Sequence, residues 1–226
     1  MATYSESSLV TRVRRMADMV GSAFVTDAEI RDYLNSGISE LHDVLVQKYE
    51  DYYVKEHTPY TLSSGSTYTL PSDFYKALGV DLESGGRTYS LQNYNFAERN
   101  MYKSDPLFGL DPNAGARYHI QGNEIKFIPD SSTGSATLYY VPTATQFDGA
   151  GTTSITSVIP GYEEYIVVCA AVFCLMKEES DVQVQLLKKS ELLGRIEAAA
   201  GKRNAGDSYS IADVTLGANV SDRFYW

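Results

Sequence analysis

Three histidines, His42, His57 and His119, are the residues through which most general acid or base schemes would run. None of them sits in a motif. His42 is followed by Asp43 on a segment with helical periodicity, where a surface or half-buried structural histidine accounts for it far better than a base does. The chain contains no G-x-S-x-G, H-E-x-x-H, phosphate-binding G-x-x-x-x-G-K-[ST] or G-x-G-x-x-G pattern. The paired acids Glu163/Glu164 and Glu178/Glu179 are sequence neighbours, so on a helix they point in different directions and cannot share a proton. Cys169 and Cys174 are five residues apart in one apolar helical run, about 140° apart around the axis, and cannot pair. Their spacing fits neither a redox nor a zinc motif, and they read as small buried apolar residues of a reducing compartment. The expectation is a non-catalytic protein with no catalytic residue, no metal site and no cofactor.

Charge narrows the partners. With 19 basic and 29 acidic residues the chain carries a formal −10, and gripping phosphates would need clustered Lys and Arg. Nucleic acid is expected only as something that slides past an acidic wall. Residues 26–56 concentrate that charge, with eight acids against three bases. This segment is either a solvated helix face or the lining of a negative channel. Apolar residues make up 43% of the chain, an ordinary globular share, and 226 residues suffice for one good core with a satellite. Eighteen tyrosines against one tryptophan fit either surfaces half buried between partners or cross-strand aromatic pairs. The longest apolar run, Tyr165 to Met176, is too short for a membrane span.

These side chains must be positioned by helices at both ends of the chain and strands between them. Leu9, Val13, Met16 and Val20 repeat at helical spacing, and Gly21 is the expected stop. Thr26 and Glu29, with Val25 and Ile30 flanking them, predict a capping box and hydrophobic staple opening a second helix at Asp27, continuing to Tyr52. From Thr58 the period becomes two. Tyr60/Leu62 and Tyr68/Leu70, separated by Ser63-Ser64-Gly65-Ser66, predict a hairpin. Strands follow at 77–82 and 87–91, a short helical piece at 94–102, strands at 118–121 and 124–128 around Gly122-Asn123, and a strand at 136–141. Pro142 to Ser157 reads as a linker. A third helix, apolar nearly all round, follows Pro160-Gly161, and Ser180 with Gln183 predicts the box that opens a fourth, ending at Gly201. The fold class is α+β: a four-helix bundle of N- and C-terminal helices with an inserted antiparallel β subdomain. The helical body spans 1–56 and 158–204, the β-rich insertion 57–157, and an extended C-terminal tail 205–226.

That tail is apolar where a solvated terminus would be polar. Fully extended, its 22 residues reach about 70 Å. Tyr209, Ile211, Val214, Leu216 and Val220 alternate in part, as strand addition to a neighbour would require, and Arg223, Phe224, Tyr225 and Trp226 close the sequence. Burying the last three rings alone does not offset the entropy of ordering the whole segment, so docking must use the earlier apolar residues too.

The run Ala28-Glu29-Ile30-Arg31-Asp32-Tyr33-Leu34-Asn35 opens a long helix, and Tyr68-Thr69-Leu70-Pro71-Ser72-Asp73-Phe74 follows a Ser/Gly turn. With the helical hairpin 161–200, these segments resemble the head-to-tail adaptor (connector) proteins of tailed bacteriophages. The large β insertion is similar to that of the podovirus-type, tubular members. The resemblance implies a homo-oligomeric ring, usually of twelve copies, bound beneath the portal protein. Such a ring extends the DNA channel and carries downstream nozzle or fibre proteins at the head–tail junction of the virion. It also implies that the last segment, here Arg223 to Trp226, docks on the portal. The rival expectation is a tail- or fibre-attachment module whose tyrosine-rich β face binds a receptor or glycan; a wall hydrolase is a third.

Overall fold

A computed structural model of the chain describes residues 4–49, 53–63, 67–103, 112–150, 154–155 and 161–200. The described elements run β1 (Tyr4–Ser5), α1 (Glu6–Met16), α2 (Asp27–Lys48), β2 (Lys55–Glu56), β3 (Tyr60–Leu62), β4 (Thr67–Thr69), β5 (Phe74–Ser84), β6 (Arg87–Asn93), α3 (Arg99–Lys103), β7 (Arg117–Gln121), β8 (Glu124–Ile128), β9 (Gly134–Pro142), β10 (Ser154–Ile155), α4 (Glu163–Lys177) and α5 (Gln183–Ala200). The architecture is mixed α+β, with five α-helices and a curled sheet among the described residues.

Two apolar clusters organise it. In the first, Leu9 and Val13 of α1, Ile30, Leu34, Ile38 and Leu41 of α2, and Ile196 of α5 surround α4. Ten of the fifteen α4 residues are buried, as an all-round apolar helix requires. Gly37 of α2 is the point of closest approach: a Cβ there would lie 3.1 Å from the Cys169 Cβ and 3.3 Å from the Ile166 carbonyl oxygen. The second cluster lies in the sheet, where Val80, Leu82, Ile125, Phe127, Ala136 and Leu138 alternate inward.

The sheet order is β2-β9-β5-β6-β7-β8-β4, with β3 also on β9. β9 is the spine, pairing β5 over most of its length through two register shifts, between Phe74 and Lys76 and between Ala77 and Gly79. Such bulges increase the local twist and suit a sheet that curls. Every described pairing is antiparallel except β6 with β7, which is parallel and carries the chain from one side of the curl to the other.

Local chemistry explains where elements start, and where they depart from the sequence reading. The Thr26–Glu29 capping box forms at α2: the Glu29 amide donates to Thr26 Oγ1 at 3.3 Å, and the Thr26 amide to Glu29 Oε2 at 2.9 Å. α1, expected to run to Gly21, stops at Met16, because Asp18 takes the left-handed conformation (φ 55°) and the Met19 amide folds back onto the Arg14 carbonyl at 2.8 Å. Arg14 then holds the α1–α2 turn, donating to the carbonyls of Ser22 and Val25, each at 2.9 Å, and to Asp27 at 2.6 Å. Val20, expected to be apolar-facing, is 73% exposed.

α2 ends at Lys48 rather than continuing to Tyr52, of which 50–52 lie outside the described residues. The expected β3–β4 hairpin is not made: β3 pairs with β9 and β4 with β8, so the Ser/Gly segment joins two different parts of the sheet. At α5 the Gln183 amide is accepted by Asp181, not Ser180. The 142–157 stretch, expected to be only a linker, contains β10, whose Ile155 is registered with Tyr4 at the opposite end of the sequence.

Candidate interaction surfaces

Three carboxylates stitch the helices together. Glu40 of α2 accepts from the Tyr165 hydroxyl at 2.6 Å and Lys189 Nζ at 2.9 Å, so one side chain links α2, α4 and α5. Burial pushes this carboxyl up, but the Tyr165 and Lys189 hydrogen bonds outweigh it and the net displacement is downward. The same burial, with the hydrogen bond to Glu40, drives the Tyr165 phenol far above its ordinary range. Glu164 of α4 accepts from Lys188 at 2.6 Å and Arg12 at 2.5 Å, tying α4 to α5 and α1; the Lys188 bond is the main reason its carboxyl is held low. Glu29 accepts from Lys177 at 2.6 Å, and this bond, with those from Thr26, lowers its pKa to about 2.

These contacts revise the picture of an acidic outer face. Within 26–56, Asp27, Glu29, Glu40 and Asp43 are already hydrogen-bonded, to Arg14, Lys177, Lys189 with Tyr165, and Tyr75 respectively. Glu29 and Glu40 thus brace the helices from partly exposed positions, while Asp27 and Asp43 stay exposed on the surface.

The seam between helices and sheet is built around His42. Its ring is 6% exposed and lies 5.0 Å from the Tyr53 ring and 5.1 Å, edge-on, from Tyr75. Burial lowers its pKa, so the ring is neutral near pH 7. A cleft of about 400 Å³ opens beside it, lined by Ser39, His42, Asp43, Tyr75, Thr143, Ala144 and Gln146. The Tyr75 hydroxyl donates to Asp43 at 2.8 Å and the Gln146 amide to Ser39 at 3.1 Å, closing two of its walls. Asp73 adds a polar clasp at the end of β9, accepting from Lys55 at 2.6 Å and the Tyr140 hydroxyl at 2.8 Å. His57 stacks on Tyr60 at 4.6 Å. Cys169 and Cys174 are free and buried, with burial pushing both thiols up to about 11.

The tyrosine excess resolves largely into packing. Tyr60, Tyr68 and Phe127 form one contact cluster, Phe74 stacks on Tyr140, and Tyr60, Tyr94, Tyr118, Tyr140, Tyr162 and Tyr165 are all buried. One aromatic group does face outward. Arg99 lies 4.5 Å over the half-exposed Phe96, Arg117 lies 4.3 Å over Tyr102, and the His119 ring lies 5.1 Å from that of Tyr94 and 5.9 Å from that of Phe96. A second apolar exposure lies on the outer side of α5, where Val184 and Leu187 are 71% and 72% exposed. Neither the cation-capped cluster nor this stripe was singled out from sequence. The signal for the stripe was the spacing of Val184 and Leu187, three apart and off the face that carries Leu192 and Ile196.

The residues assigned from sequence to partner binding, Tyr209, Ile211, Val214, Leu216, Arg223, Phe224, Tyr225 and Trp226, lie outside the described residues. Residues 3–216 match the family model described as SU10 adaptor protein. The chain belongs to the SU10 adaptor protein family. It is a bacteriophage structural adaptor and a component of the virion. The family match takes in Tyr209, Ile211, Val214 and Leu216 and ends before Arg223. Among curated proteins, none matches the chain. No described helix is long and apolar enough to cross a membrane, and no cluster of three or more His, Cys, Asp or Glu suited to a metal ion occurs among the described residues.

Proposed function

We propose that this adaptor assembles, without catalysis, into a ring of about twelve copies on the lower face of the portal. The ring extends the DNA channel at the head–tail junction and offers its β part to nozzle or fibre proteins. In this reading α1, α2, α4 and α5 form a four-helix bundle that is the ring's structural unit. The 57–157 region is its inserted subdomain, and 205–226 is the segment that reaches a partner, with Arg223 to Trp226 as its anchor on the portal. Assembly takes place in the host cytoplasm, and DNA is a passenger that the net charge of −10 keeps from sticking. The observation that carries the reading is the family match over residues 3–216. The helical core is compatible with it: α1 and α2 are tied to α4 and α5 through Glu40, Glu164 and Glu29. Many modest contacts on one ring act together, so each anchor can be weak. Deleting residues 221–226 is expected to leave the circular dichroism spectrum unchanged and abolish co-sedimentation with portal particles; undiminished co-sedimentation would remove the anchor from the reading.

A second reading draws on the outward cluster at Phe96, Arg99, Tyr102 and Arg117. Aromatic faces flanked by cations suit a glycan or receptor, as a fibre-attachment module would need. Trimeric mass with carbohydrate binding would favour it over the ring.

A further inference from the structure

Among the described residues the two apolar clusters share no member: the helical one draws on 4–53 and 144–200, the one in the sheet on 60–140. His42 belongs to neither. It is carried by α2, yet its ring meets groups outside the helices: the Tyr53 ring, the Tyr75 ring of β5, and the carbonyl of Pro142 at the end of β9, which accepts from the imidazole. That bond falls to Nδ1, because Nε2 is enclosed and has no hydrogen-bond partner. The cleft beside the ring is walled by only two bonds, Tyr75 to Asp43 and Gln146 to Ser39.

We infer that His42 is a pH-sensitive latch: while the ring is neutral the seam is shut, and a second proton, on Nε2, frees α2 from β5 and from residues 142–146 while both apolar cores stay folded. The inference does not depend on the ring reading above. Protonation would make Nε2 a charged donor with no acceptor, in a position that water does not reach. Opening the two bonded walls of the cleft brings water to it. Phe147 stays docked on α2, since it is buried and Asn35 bonds to both its amide and its carbonyl, at 2.8 and 3.0 Å. The movement is therefore confined to the sheet side of that residue.

Few charged or titratable groups face the ring. Asp43, on α2 itself, has Oδ1 3.9 Å from Nδ1, but its side chain is half exposed and already accepts from Tyr75. Tyr53 and Tyr75 are phenols, and Pro142, Thr143, Ala144 and Gln146 carry no charge. Burial accordingly outweighs the pull of Asp43 and holds the folded-state pKa below the ordinary 6.5. The folded seam then binds fewer protons than the open one, so its stability is fully present above 6.5 and is lost as pH falls below that value. The Glu29 response begins only at 4.5, so the latch releases before that ion pair weakens.

Hydrogen exchange of the full-length protein between about pH 7.5 and about pH 5, corrected for the intrinsic rate, tests the latch. Protection in 39–48, 74–76 and 142–146 is expected to fall by up to about tenfold per pH unit, while α4 and β8 keep theirs. His42→Asn retains a donor for Pro142 and has nothing to protonate, and His42→Phe keeps a ring beside Tyr53 and Tyr75; each is expected to flatten the profile. A seam whose protection does not change with pH would overturn the inference. So would an equal fall in both variants, which would assign the response to another group, or a loss spread evenly over α4 and the sheet, which would mean unfolding of the whole chain rather than release of one contact.

Discussion

Around α4 the polar contacts that cross between helices are charged: Glu164 to Arg12 and Lys188, Glu29 to Lys177, Glu40 to Lys189. In the curled sheet, rings meet rings across elements, Tyr60 with Tyr68 and Phe127 and Phe74 with Tyr140, beside neutral hydrogen bonds and the Asp73–Lys55 ion pair. The difference follows from the elements. A helix one layer from solvent keeps the ends of its long side chains wet, so ion pairs form at modest desolvation cost. A small sheet curled on itself needs bulky inward side chains to fill its interior, and aromatic residues supply that volume. The helical half should therefore respond to acid, and the sheet to loss of ring volume.

The largest effect expected from breaking this pattern is in the sheet. Phe127 is 1% exposed and contacts both Tyr60 and Tyr68; Phe127→Ala should cost about 3–5 kcal/mol, read by urea unfolding. Amide exchange should rise first in β7 and β8 and least in α4; equal loss everywhere would mean that the two cores unfold as one. Next is the close approach of α2 and α4. Gly37→Val should cost about 1–3 kcal/mol by overpacking, and Cys169→Ala should not relieve it, because the atom met is the Cβ that alanine keeps. Tyr140→Phe removes the hydroxyl bonded to Asp73 and should cost about 1 kcal/mol, with the Lys55–Asp73 pair remaining.

The smallest effect per group is the acid response. Glu29, Glu40 and Glu164 have folded-state pKa values below their ordinary ones. Such groups contribute stability above the unfolded pKa and lose it as pH falls through the folded one. For Glu29 that window runs from 4.5 down to about 2. Thermal unfolding followed across this range should show stability falling, and Glu40→Gln should flatten the curve. A steeper dependence in that variant would contradict the assignment of Glu40 as a brace.

What could be read in the sequence divides along the same line. The Thr26–Glu29 box, the apolar α4 and the Gly122-Asn123 hairpin were legible because each is specified within a few residues. The pairing of β3 with β9 and β4 with β8 was not, since Ser63 to Ser66 carry the composition of a hairpin turn whatever strands flank them, and the partner strand lies far along the chain. The end of α1 was misplaced because aspartate in the left-handed conformation at Asp18 pre-empted a glycine three residues on. Glu40 was counted as surface charge; its bracing role depends on Tyr165 and Lys189, more than a hundred residues away, which no local pattern reports. The abundance of tyrosine was equally compatible with packing and with partner surfaces, and the sheet's ring contacts and the burial of six tyrosines assign much of it to packing.

Native mass spectrometry of the full-length chain, alone and mixed with portal particles, tests the central claim most directly. A discrete complex holding about twelve copies of the chain per portal is the expected result. A chain that remains monomeric and unbound at every concentration tried would contradict it.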